Sequence, residues 1–206
     1  KINGDNIISI PLGIDTDKFT PSTLPPKQNT IIFSGNMGYF PNENAALWFI
    51  NHVFDYINQE IPNVRFVLAG NNPSKKLRNL HDSRRIIVTG FVESIVEELQ
   101  KAQLAVAPMQ SGSGMQFKIL EAMSCGLPVV ATSMGVGTIA ATNNVNIMIA
   151  DQPTQFAKAC INFLKDYGLS KNIGDNARQL ILDKYSWESH VDKVEELYNR
   201  IYNVLK

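Results

Sequence analysis

The chain is poor in the features that announce chemistry. Only two of its 206 residues are cysteine, Cys125 and Cys160, with no paired spacing and no histidine near them in sequence. That argues against a zinc site or a disulfide framework and suits a reducing, cytoplasmic compartment. Net charge is also absent: 19 Lys plus Arg balance 19 Asp plus Glu. No long-range field therefore favours nucleic acid or an anionic membrane as partner. No apolar run approaches the ~20 residues that span a bilayer, and the opening residues lack the charged-then-apolar layout of a secretion signal, so no transmembrane segment is expected. His52, His81 and His190 are scattered along the chain. The loops that follow the apolar runs hold no Ser/His/Asp or Cys/His grouping, and no Asp-x-Asp is read along the chain that could hold a divalent metal on a diphosphate, so no metal ligands are assigned. Internal repeats and low-complexity tracts are missing as well.

What is present is an alternation. Short apolar runs at 30–34, 64–69, 85–89, 104–107, 128–131 and 147–150 are separated by amphipathic stretches at 42–59, 75–81, 95–102 and 117–124. Runs this apolar throughout belong in a parallel sheet covered on both faces by helices. The expected fold class is α/β, a doubly wound Rossmann-like sheet flanked by helices, with ligands held by the loops at the carboxyl ends of the strands. Three further helices, 153–164, 170–185 and 187–204, close the domain. Before it, residues 15–29 carry Pro21, Pro25 and Pro26 among polar residues and read as an extended, poorly packed linker. The division is then residues 1–29 as residual interdomain segment and linker, and 30–206 as the domain. Trp48, Phe49, Phe54 and Tyr56 are read as core, whereas Tyr39 and Phe40 fall in a strand-end loop.

The densest signal runs from Gly112 to Thr132, where a glycine turn leads into a short helix and then a buried strand. Gly112 and Gly114 let backbone amides approach a ligand, and the helix that follows points free N–H groups at the same place, a natural seat for phosphate. Lys118 and Glu121, three positions apart, share a face of that helix. Plainer readings exist: a tight strand-to-helix turn, a carboxylate favoured by the helix dipole, a lysine on a solvated face.

This pattern, followed by Pro128-Val-Val-Ala131, resembles the donor-binding C-terminal half of the two-domain GT-B glycosyltransferases, specifically the retaining family 4, group 1. Ile7-Ile-Ser-Ile-Pro-Leu-Gly-Ile-Asp15 looks like the family's hand-over from its first domain, and Phe33-Ser-Gly-Asn-Met-Gly-Tyr-Phe-Pro-Asn42 like its first strand and loop. Val88-Thr-Gly-Phe-Val92 resembles its base-binding turn, and Lys118 to Gly126 its ribose-binding helix. The resemblance covers nearly the whole chain and implies a fragment of a longer enzyme whose acceptor-binding half precedes it, inactive without that half.

It further implies metal-independent transfer of a sugar from a nucleoside-diphosphate sugar, the donor substrate, to a glycan or lipid-linked acceptor, with no other cofactor. The enzyme would be cytoplasmic, with peripheral membrane contact through the absent half. Glu121 would accept hydrogen bonds from the ribose hydroxyls, a task suited to a carboxylate. The turn Gly90-Phe91-Val92, its backbone N–H and C=O free between strand and helix, would pair through them with the edge of the base, with Phe91 or Val92 lining the slot. Lys118, the amides of Gly114, Met115 and Gln116, and Gly35 and Asn36 opposite would meet the diphosphate. Two departures stand out: Ser113 replaces a second glutamate eight positions before Glu121, and the loop after the first strand offers Asn36 and Asn42 where many members place an arginine and a lysine. They leave room for a catalytically degenerate binding module, while a sugar-nucleotide epimerase of the same architecture would need cleft carboxylates or histidines.

Overall fold

The structure, a computed structural model, describes residues 8–112 and 114–204. Strands β1 (Thr30–Ser34), β2 (Arg65–Ala69), β3 (Ile86–Gly90), β4 (Leu104–Ala107), β5 (Val129–Ala131) and β6 (Met148–Ile149) form one sheet in the order β3-β2-β1-β4-β5-β6. Every neighbouring pair is parallel. The reason is visible in β1, where all five residues are buried. Its side chains alternate between two cores. Ile31 and Phe33 join Phe49, Phe66, Phe156 and Phe163 on one face, while Ile32 joins Leu99, Ile119, Leu120, Met123 and Ile181 on the other.

Helices α1 (Phe40–Phe49), α2 (Asp55–Glu60) and α7 (Pro153–Lys165) supply the first core; α4 (Ile95–Lys101), α5 (Phe117–Ser124) and α8 (Tyr167–Lys184) supply the second. The short helices α3 (Lys75–Arg78) and α6 (Ser133–Val136) follow β2 and β5, and α9 (Trp187–Val204) ends the described chain. Aromatic packing organises the first core: the Phe49 and Phe66 rings lie 4.4 Å apart, and Phe156 meets Phe49 edge-on at 5.9 Å.

The doubly wound sheet is the one expected from the alternation, and four local differences have physical causes. The helix expected over 42–59 is interrupted by a π-helical turn, Ile50–Phe54, between α1 and α2. The wider turn brings Val53 and Phe54, neighbours in sequence, both into the core. Tyr56, read as core, is 49% exposed, and Trp48 is only partly buried, edge-on to Phe156. The stretch 133–138, read as loop, contains α6 because Thr132 caps it, its hydroxyl accepting from the Gly135 amide at 3.1 Å.

The fourth difference concerns the expected linker. Its first part is not poorly packed: Thr16 and Phe19 are buried, as is Ile14 just before, and Ile14 and Phe19 belong to the second core. The Arg178 guanidinium donates to the carbonyls of Thr16 (3.0 Å) and Phe19 (2.7 Å) and ties this segment to the end of α5. The continuous exposure expected of a linker is confined to its second part, where residues 21–25, 27 and 28 are exposed. The hand-over motif lies within the described residues from Ile8 onward; Ile7 lies outside them.

Candidate functional site

In this strand order the chain leaves β1 toward β2 on one side and returns at β4 on the other, so a crevice opens between the loops after β1 and β4. The loops converge there. A Cβ on Gly70 would collide with the Gly35 carbonyl, a Cβ on Gly112 would lie 3.8 Å from Pro41, and a Cβ on Gly137 would lie 3.3 Å from the Gly114 carbonyl oxygen. Gly114 has φ +82° with open space around it, a conformation that leaves the glycine turn in place and its backbone approachable.

Lys118, in the first turn of α5, reaches across this crevice. Its Nζ donates to Asn42 Oδ1 at 2.9 Å and to Gln116 Oε1 at 3.0 Å, and sits 5.5 Å from the centre of the Phe33 ring. Asn42 in turn donates through Nδ2 to the Asn36 carbonyl at 2.9 Å. One ammonium thus joins the first turn of α1 to the loop before α5, with one of its three protons left over. Gly35 makes room for this: a Cβ there would stand 2.9 Å from Asn42 Nδ2 and 3.3 Å from Lys118 Cε.

Burial, partly offset by the Glu121 carboxylate, pushes the Lys118 ammonium down to about 8, so it remains largely protonated near neutrality. Glu121 shows the mirror effect. Burial raises its pKa, against the lowering influence of Lys118 and of Lys18. Its carboxylate accepts no hydrogen bond from another described residue, which leaves both oxygens for a ligand's hydroxyls. Lys18 is the participant that sequence spacing does not reveal. It lies 103 positions from Glu121 in the chain, and only the packed segment 14–19 brings it near.

Other expected residues fall as follows. The Gly35 amide is taken by the Ala69 carbonyl at 3.0 Å, so Gly35 serves the site by its lack of a side chain and not as a donor. The Asn36 amide and those of Gly114, Met115, Gln116, Phe117 and Lys118 make no hydrogen bond to another described residue, and α5 has no side-chain cap at Gln116. Ser113 lies outside the described residues. At the β3 turn, the Gly90 carbonyl already accepts from the Gly70 amide (3.1 Å) and the Thr89 hydroxyl (2.8 Å), so it is not the free acceptor expected. The amides of Phe91 and Val92 have no described partner, and the Phe91 side chain is 72% exposed. The turn sits two strands from β1 on the same edge.

Asp15-Thr16-Asp17 is an Asp-x-Asp outside the strand-end loops; Asp15 Oδ1 there accepts the backbone amides of Asp17 (3.2 Å) and Lys18 (2.9 Å), which makes it a turn cap. Among the described residues no three His, Cys, Asp or Glu side chains gather where a metal ion could be held, and no helix is long and apolar enough to cross a membrane.

Known proteins resemble this chain in sequence or in fold. The chain is 27% identical over 163 residues to an uncharacterized 44.6 kDa protein of the cps region of Klebsiella pneumoniae, covering 75% of this chain and 42% of that protein. It is 23% identical over 206 residues to the Escherichia coli UDP-Gal:alpha-D-GlcNAc-diphosphoundecaprenol alpha-1,3-galactosyltransferase, covering 92% and 53%. The chain therefore spans about half the length of these curated relatives or less. A glycosyltransferase structure from Rickettsia africae superposes with a TM-score of 0.79 at 16% identity, over 98% of this chain and 59% of that one. Anabaena HepE, solved with UDP and glucose, superposes with a TM-score of 0.71 at 16% identity, over 91% and 55%. These last two establish a shared fold. Residues 28–166, more than half of the chain, match the model of the glycosyl transferases group 1, and the chain belongs to that family.

Proposed function

We propose that this chain is the donor-binding part of a glycosyltransferase that takes its sugar from a nucleoside-diphosphate sugar. The observation that carries the reading is the pairing, on successive turns of α5 at the mouth of the β1/β4 crevice, of an ammonium with a proton to spare and a carboxylate that accepts no hydrogen bond from another described residue. The carboxylate of Glu121 suits the two ribose hydroxyls. Lys118 and the open amides of Asn36 and of residues 114–118 suit the diphosphate, whose charge grows as it leaves. The amides of Phe91 and Val92 suit the edge of the base.

In this reading the anomeric carbon bonds to an acceptor hydroxyl as its bond to the diphosphate breaks, with retained configuration, and the departing diphosphate takes the hydroxyl proton. No enzyme nucleophile is needed. Metal independence belongs to the same reading, because fixed amides and a cation serve the diphosphate. The acceptor, a glycan or a lipid-linked sugar, would bind the other half of the enzyme, in the cytoplasm and in peripheral contact with a membrane. The free, buried Cys125 and Cys160 suit a reducing compartment.

Titration calorimetry with UDP, GDP and ADP, without and with magnesium, tests the reading. UDP goes first because the E. coli relative is named for UDP-Gal and the HepE structure holds UDP. One nucleotide is expected to bind equally well in both conditions, and Lys118→Ala to weaken the diphosphate more than the nucleoside. Full dependence on magnesium would remove metal independence, and equal loss for both ligands would remove Lys118 from the phosphate.

A further inference from the structure

Lys118 is held by two amide oxygens, those of Asn42 and Gln116, although an aspartate or glutamate at either place would hold an ammonium more strongly. Asn42 is itself buried, at 5% exposure, and is fixed from its other end by the Asn36 carbonyl. Its orientation is therefore set: Nδ2 faces the carbonyl, and Oδ1 faces the lysine. The charged groups near the ammonium are few. Its own helix contributes Glu121, and the N-terminal segment contributes Lys18, which acts on Glu121. Helix α1 and the loop before α5 present only neutral amides, and β1 presents the Phe33 ring.

We propose that Asn42 is a positioning residue which, with Gln116, aims the Lys118 ammonium across the crevice without neutralising it, so that the positive charge is reserved for an anionic ligand. A neutral acceptor supplies geometry alone. A carboxylate at position 42 or 116 would supply the same geometry and also cancel the charge, and the site would then meet a diphosphate with no net cation from Lys118. This also accounts for a site that works with Asn36 and Asn42 where an arginine and a lysine are common in the family: a single lysine, unneutralised and partly desolvated, exerts its charge through a low-dielectric surrounding. The inference rests on the donor-binding reading, which it deepens by assigning what selects for the diphosphate.

The test uses the full-length protein, with inorganic pyrophosphate as probe at pH 7.5, in wild type, Asn42→Asp and Gln116→Glu. The second variant lies at a less buried position and keeps the test open if the first fails to fold. Lys118 titration is followed in parallel by the 13Cε shift of labelled lysine, assigned through Lys118→Arg. Loss of a charge-assisted contact predicts ten- to a hundredfold weaker pyrophosphate binding in either variant, together with a Lys118 titration that moves to higher pH. A purely structural defect would not raise that titration. Variants that bind pyrophosphate as tightly as wild type overturn the charge-reserve assignment and leave the donor reading standing. Wild type that binds no pyrophosphate at millimolar concentration overturns the diphosphate reading, and this inference with it.

Discussion

Replacing Arg178 by alanine should destabilise the protein by about 3 kcal/mol. In the native structure Nη1 donates to the Phe19 carbonyl (2.7 Å), the Ser124 carbonyl (2.8 Å) and the Ser124 hydroxyl (2.7 Å), and Nη2 donates to the Thr16 carbonyl (3.0 Å). Ser124 Oγ also donates to the Phe19 carbonyl at 2.7 Å, so that acceptor keeps a partner in the variant. The carbonyls of Ser124 and Thr16 do not, and both residues are buried. Each orphaned buried acceptor costs roughly 1–3 kcal/mol, partly recovered by water entering the space of the lost side chain. The cation also lies at the C-terminal end of α5, where a positive charge is favourable. Urea unfolding followed by tryptophan fluorescence reads the loss, and for a domain of this size it corresponds to about 6–12 °C in Tm. Trp187 makes the assay specific because it packs directly against Gly13, in the segment that Arg178 anchors. Arg178→Lys keeps the charge but cannot fork to four acceptors, so it should recover about half the loss. A loss below about 1 kcal/mol in the alanine variant would refute the view that Arg178 locks the incoming segment onto the domain.

Glu121→Ala should weaken the nucleotide found by calorimetry by about 1.5–3 kcal/mol, ten- to a hundredfold, through loss of charge-assisted bonds to ribose; unchanged affinity would take Glu121 out of the site. Because burial raises the Glu121 pKa, the folded protein holds that proton more firmly than the unfolded chain. Its contribution to stability is therefore present at low pH and lost as pH rises from the ordinary value of 4.5 through the raised one. Glu121→Gln should flatten the stability profile in that window, and identical profiles for variant and wild type would count against a buried, ionising Glu121. Burial pushes the Cys125 thiol up to about 12 and places Cys160 in the interior, so neither should be alkylated by iodoacetamide at pH 8 until the protein is denatured. Rapid labelling of native Cys125 would show that the contact of residues 14–20 with α5 opens readily.

The fold was legible because its central strands are buried on both faces, and a parallel strand buried on both faces has to be largely apolar, as Ile31–Phe33 and Leu104–Ala107 are. The glycine turn, Lys118 and Glu121 were legible for a similar reason: a tight turn and one helical face are properties of residues close in sequence. Two readings failed where a long-range partner decided the outcome. The proline-containing stretch looks like a linker from its composition, but Phe19 finds a core and Thr16 finds Arg178, 162 positions away. The Gly90 carbonyl looks free at the end of a strand, yet the Gly70 amide of the neighbouring strand takes it.

By itself, then, the sequence determined the order and kind of elements, the doubly wound sheet, the family and the helix that carries the candidate site, since each of these is written in local periodicity, turn chemistry or a contiguous motif. Only the tertiary structure decided which acceptors hold Lys118, that Gly35 contributes space and not a hydrogen bond, and that Lys18 stands near Glu121. Those contacts join positions 76 and 103 residues apart, and no local pattern encodes them; they exist because parallel packing brings the ends of β1 and β4 and the incoming segment to one crevice.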